Sequence, residues 1–219
     1  MQDAAPGSDA NDDPSKSGAS QDYVTPPFLV AAVGASAGGL EAFSKLLGHL
    51  PRDAKLAIVL VQHMSRTQPS MLPDILARRT ALRVVLATDG HKVELGHVYV
   101  IPPDTHMTVI DGHLRVRPRP EGYWSVQVNA LFGSVAEYYR EKSVGVILSG
   151  ALSDGADGFR AIRSAGGTTI AQLPEEAQTE SMPRAAIATG DVDMILPAEE
   201  IGEELMRLAE LPRFKPEPK

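Results

Sequence analysis

The chain has no cysteine among its 219 residues. Disulfides, thiolate zinc sites and cysteine nucleophiles are therefore excluded, and the expected setting is cytoplasmic. A basic surplus is missing too: 21 Lys and Arg face 28 Asp and Glu, giving a formal net charge of -7. Nucleic-acid backbones and anionic membrane surfaces are poor partners for such a chain, because it has no excess cation to displace counterions. No apolar run is long enough to cross a bilayer, so membrane insertion is not expected. The N-terminus also lacks the basic start and apolar stretch of a secretory signal. The histidines other than His63, namely His49, His91, His97, His106 and His113, show no HExxH or similar ligand spacing, so no metal is expected. No internal repeat is visible.

What remains is an ordinary globular composition, 43% hydrophobic, with length for one well-buried domain. Residues 1–27 are rich in Asp, Ser, Ala, Gly and Pro, with almost nothing apolar before Tyr23. They read as a disordered leader, because they have too little apolar surface to offset ordering entropy. The stretch 212–219, rich in Pro and Lys, reads as a flexible tail, which leaves 28–211 as the folded domain.

Within that domain, β-rich apolar runs alternate with helical patterns. Strands are expected at Phe28–Val33, Leu56–Val61, Arg83–Leu86, His97–Ile101, Val144–Leu148, Thr168–Ala171 and Val192–Leu196. Thr108–Ile110 and His113–Arg117 flank the turn signal Asp111-Gly112 and read as a hairpin. Helices are expected through Leu40–Leu50, Met71–Leu76, Val128–Tyr139, Phe159–Ala165 and Pro183–Thr189, with a last one opened by Pro197. The fold class is α/β: a doubly wound, mostly parallel sheet in three α/β/α layers with one inserted hairpin.

In such sheets, ligands bind beyond the carboxyl ends of the strands. After the first strand stands Gly34-Ala35-Ser36-Ala37-Gly38-Gly39; the second ends in Gln62-His63-Met64; the Val144–Leu148 strand leads to Ser149-Gly150-Ala151-Leu152-Ser153-Asp154-Gly155. A hydroxyl, an imidazole and a carboxylate thus share one sheet edge. Serine needs a base to become a nucleophile. His63 suits that task, and Asp154 suits orientation of the ring. Backbone N–H groups at the helix start, including that of Ala37, are candidate oxyanion donors.

Each residue has a plainer reading. A Gly-rich strand–helix turn more often cradles a nucleotide phosphate. Here Ser36 takes the place of the middle glycine of G-x-G-x-x-G, and no Gly-Lys-Ser/Thr follows. A histidine after a strand is usually structural, and an aspartate before a helix is usually an N-cap. Gly34-Ala35-Ser36-Ala37-Gly38 spells the G-x-S-x-G elbow, yet the order Ser, His, Asp departs from that of α/β-hydrolases. Trp124 reads as covering a hydrophobic edge, and the alternation of Arg115, Arg117 and Arg119 as a solvated face or a contact for an acidic partner.

At these motifs, together with Gly96–Pro103, Val146–Gly150, Thr169–Gln172 and Met182–Ile187, the chain resembles the catalytic domain of the CheB-type protein-glutamate methylesterases. The resemblance runs from about Phe28 to Leu211. It implies a doubly wound α/β/α fold and a Ser–His–Asp triad on Ser36, His63 and Asp154. The implied reaction removes methyl groups from glutamate γ-esters of chemoreceptors, releasing methanol, with deamidation of receptor glutamines in many members. A methylated chemoreceptor or similar signalling protein is the implied partner, and no cofactor is implied. The stretch before Phe28 is too short for the phospho-receiver domain that many members carry. Control by a receiver is then expected to be missing or to reside in another chain, a separate receiver or methyltransferase protein. The chain looks closer to the receiver-less variety, which is often fused to a methyltransferase. In the segment before Asp154, the resemblance makes the backbone N–H around Ala151 a further oxyanion donor. Leu152 stands where the family has glycine, Asn129 where it commonly has aspartate, and Ser181 where glycine is common. The alternatives are an inactive binding module of the same fold, motivated by Leu152, and a nucleotide-binding protein.

Overall fold

A computed structural model describes residues 28–63, 71–121 and 123–210. The expected leader and tail, Leu211, Met64 and the side chain of Trp124 lie outside the described residues. In chain order the elements are β1 (Leu29–Ala35), α1 (Gly39–Gly48), β2 (Leu56–Gln62), α2 (Leu72–Ala77), β3 (Arg83–Leu86) and β4 (His97–Val100). Then come β5 (Thr105–Ile110), β6 (His113–Pro118), α3 (Gln127–Tyr139), β7 (Ser143–Ile147) and α4 (Ala156–Ser164). The chain continues with β8 (Thr168–Gln172), α5 (Ser181–Ala188), β9 (Met194–Leu196) and α6 (Ala198–Glu210).

Seven strands form one sheet in the order β3-β4-β2-β1-β7-β8-β9, and every pairing within it is parallel. The sheet is buried on both faces, as a parallel sheet requires. Along β1, Ala31 and Val33 enter one core with Phe43 and Leu46 of α1 and Ile201 and Leu205 of α6. Val30 and Ala32 enter the other, with Leu131, Phe132 and Val135 of α3 and Phe159 of α4. β1 is the first strand wound, and the order runs outward from it in both directions. The crevice between β1 and β7 is therefore a topological switch point, where open α/β sheets bind ligands.

The hairpin β5–β6 is a separate antiparallel pair. Its turn residues Asp111 (φ 50°) and Gly112 (φ 72°) are both left-handed, as a two-residue primed turn demands. Ser134 Oγ accepts the Val109 N–H at 3.0 Å and ties the hairpin to α3.

The departures from the sequence reading have local causes. The expected strand at Val192 starts only at Met194, because Asp193 is turned to accept the Thr169 N–H (2.9 Å) and hydroxyl (3.0 Å). α5 opens at Ser181, which places Pro183 in the first turn, where a missing N–H is harmless. Arg115 and Arg117 lie on β6 with Arg119 just beyond it. Arg117 pairs with Asp89 and Arg119 with Asp104 inside the chain.

Candidate active site

The sheet register brings the serine and the histidine together. Ala35 and Gln62 are the last paired residues of β1 and β2, so Ser36 and His63 are the next residues out on neighbouring strands. The pairing continues past the strand ends: the His63 N–H donates to Ala35 O (3.0 Å) and the Ser36 N–H to Ser149 O (3.0 Å). Ser36 thus sits at the mouth of the β1/β7 crevice with β2 on its other side.

The turn after Ser36 is rigid. Its carbonyl accepts from the Gly39 N–H (2.9 Å) and from Gln62 Nε2 (2.6 Å). Gly38 caps α1 at φ 77°, a left-handed conformation that favours glycine. Ser149 Oγ donates to Ala37 O at 2.7 Å and accepts the Thr179 N–H at 2.9 Å. The Ser149 N–H donates to Gln172 Oε1 (2.8 Å). Gln62, Ser149 and Gln172 therefore brace the Ser36 turn, a role the sequence reading did not assign them. Their common signal is a polar residue at or just past the end of an apolar strand.

His63 and Asp154, 91 positions apart, meet directly: Nε2 of the ring lies 2.9 Å from Oδ2 of the carboxylate. The Asp154 side chain is fully buried and that of His63 is 10% exposed. Asp154 Oδ2 also accepts the Val128 N–H (2.9 Å), and Oδ1 the Asn129 N–H (3.1 Å). These are orphan donors in the first turn of α3. The sequence reading put Asp154 at the start of the helix that follows it; its carboxylate instead caps a different helix. Asn129 returns the arrangement, because its Oδ1 accepts the Gly158 N–H in the first turn of α4 at 2.8 Å. Each helix start is thus capped by a side chain from the segment of the other. α3 can approach β1 this closely only because residue 34 is glycine: a Cβ there would stand 2.3 Å from Val128 Cγ1.

The loop after β7 closes the site. Gly150 donates its N–H to Thr179 O (2.9 Å) and accepts from the Met182 N–H (2.9 Å). A Cβ on it would lie 2.1 Å from Met182 Sδ and 3.0 Å from Ser36 Cβ. The Gly150 N–H is thus committed to Thr179. The N–H groups of Ala37 and Ala151 enter no such bond among the described residues. Leu152 occupies the left-handed region at φ 72°. A hollow of about 700 Å³ opens beside Gly38 and Gln178 along α1, but Ser36, His63 and Asp154 do not line it. No group of three or more metal-binding side chains occurs among the described residues.

Comparison with known proteins identifies the family of the chain and supports its fold. The family model described as CheB methylesterase matches residues 31–205. The chain belongs to the CheB methylesterase family. It is 38% identical over 188 residues to a protein-glutamate methylesterase/protein-glutamine glutaminase of Myxococcus xanthus, covering 84% of this chain and 54% of that protein. A putative protein of the same name from Leptospira interrogans is 34% identical over 183 residues, with 83% and 95% covered. The crystal structure of the Thermotoga maritima CheB methylesterase catalytic domain superposes with a TM-score of 0.76 at 30% identity, covering 83% of this chain and 98% of that one. The chain spans about half the length of most of the curated relatives it matches. Within the CheB frame, the left-handed backbone at 152 gives a physical reason for the glycine expected there. In this member the same backbone carries a leucine.

Proposed function

We propose that this CheB methylesterase domain hydrolyses glutamate γ-methyl esters on a chemoreceptor-like protein, with Ser36 as nucleophile, His63 as base and Asp154 as the orienting acid. The observation that carries the reading is the 2.9 Å bond between His63 Nε2 and Asp154 Oδ2, at the strand end where His63 follows the residue paired with Ala35. An ionised Asp154 accepts the Nε2 proton, so the lone pair lies on Nδ1, and Nδ1 is the nitrogen that takes the Ser36 proton. This reverses the ring-nitrogen roles of the serine-protease template while keeping its logic.

In the first half-reaction, Ser36 Oγ attacks the γ-carbonyl carbon as its proton passes to Nδ1. The N–H groups of Ala37 and Ala151 stabilise the resulting oxyanion. Collapse breaks the bond to methoxide, which receives the Nδ1 proton and leaves as methanol. Water, deprotonated by the same nitrogen, then attacks the acyl-serine. Collapse breaks the bond to Ser36 Oγ, which takes the proton back from Nδ1, and the glutamate is freed. A glutamine side chain follows the same path with ammonia as leaving group, consistent with the double name of the relatives. No step requires a cofactor.

The partner in this reading is a methylated chemoreceptor or similar signalling protein reached from the cytoplasm. No helix among the described residues is long and apolar enough to cross a membrane. Methanol release from methylated receptor membranes tests the reading. Ser36→Ala is expected to lower the rate by about 10³-fold or more. Equal release by wild type and variant removes Ser36 as nucleophile.

A further inference from the structure

Residues 150–154 join the two halves of the site. At one end Gly150 packs on Ser36, with only 3.0 Å between a built Cβ and Ser36 Cβ. At the other, Asp154 holds His63. Leu152 is the midpoint. Its φ of 72° puts a branched aliphatic residue in a conformation that its Cβ disfavours, and the residue remains 49% exposed. It joins neither hydrophobic core, so core packing does not account for a leucine on this backbone. Val126, two residues before the Val128 N–H that binds the same carboxylate, is also 39% exposed. An exposed aliphatic residue thus stands two positions before Asp154 and another two positions before its Val128 donor.

We propose that Leu152 is a specificity-determining residue that packs against an aliphatic side chain which the substrate protein carries beside the reacting glutamyl group. The inference rests on the methylesterase reading. The occupant is the substrate because one end of this short loop packs on Ser36 and the other carries the carboxylate that binds His63. Apolar contact away from the reacting bond acts on the complex before chemistry.

Two variants separate side chain from backbone. Leu152→Asn keeps a residue that tolerates left-handed backbone while removing the aliphatic surface; Leu152→Gly also relieves the strain. With methylated receptor as substrate, both are expected to raise KM about tenfold and leave kcat within about threefold, the size expected when one partly buried leucine contact is lost. Hydrolysis of a small acetate ester, which has no neighbouring side chain, reports on the reacting groups alone. An unchanged KM for the receptor overturns the inference and leaves the methylesterase reading standing. An equal loss on the acetate ester in both variants also overturns it, because the loop would then have displaced Ser36 or His63. If the wild type cleaves the acetate ester but releases no methanol from receptor, the methylesterase reading falls and the inference falls with it.

Discussion

At the residue scale the site depends on one carboxylate with three donors. Asp154 accepts from His63 Nε2, Val128 N–H and Asn129 N–H, and its side chain is fully buried. Asparagine is nearly isosteric but turns one acceptor into a donor. With its NH₂ at the Oδ1 position it confronts the Asn129 N–H. With its NH₂ at Oδ2 it confronts the Val128 N–H and drives the His63 proton onto Nδ1, where it blocks general-base action. Either orientation removes the charge that stabilises the imidazolium. Asp154→Asn is therefore expected to lower kcat about 10³–10⁴-fold and to destabilise the fold by about 1–3 kcal/mol through an unsatisfied buried donor. Single-turnover kinetics and urea denaturation check the two effects separately; a variant with wild-type stability and rate refutes this account of the carboxylate.

At the element scale, α3 and α4 are joined by their caps. Asp154 precedes α4 and caps α3; Asn129 lies in α3 and caps α4 through Gly158. Asn129→Ala removes the second cap and is expected to destabilise by about 1 kcal/mol. Its effect on activity follows from geometry, since the loop that carries Asp154 leads into the helix that loses its cap. Hydrogen exchange localises the effect: protection should fall first at the start of α4, and uniform loss of protection would contradict it. The hairpin is legible from Asp111-Gly112 because two successive positive φ values suit few residue pairs. The reciprocal capping was not legible, because nothing in the local sequence tells an aspartate which helix start it faces.

At the scale of the whole molecule, one parallel sheet separates two cores that share every central strand. Phe43 is fully buried on one face and Phe132 on the other. Phe43→Ala and Phe132→Ala are each expected to cost about 3–5 kcal/mol. Both should shift a single unfolding transition, because neither core persists without the sheet. Far-UV circular dichroism and hydrogen exchange that report different midpoints would show the faces to be independent. Composition and periodicity alone determined the strand and helix order, the parallel sheet, the hairpin and the edge on which Ser36, His63 and Asp154 gather, because those follow from local pattern and the handedness of crossovers. Only the tertiary structure decided which ring nitrogen of His63 meets Asp154, which helix that carboxylate caps, and that Leu152, two residues before Asp154, stands exposed at positive φ. Each of these depends on contacts between segments far apart in the chain, and no local preference encodes such distances.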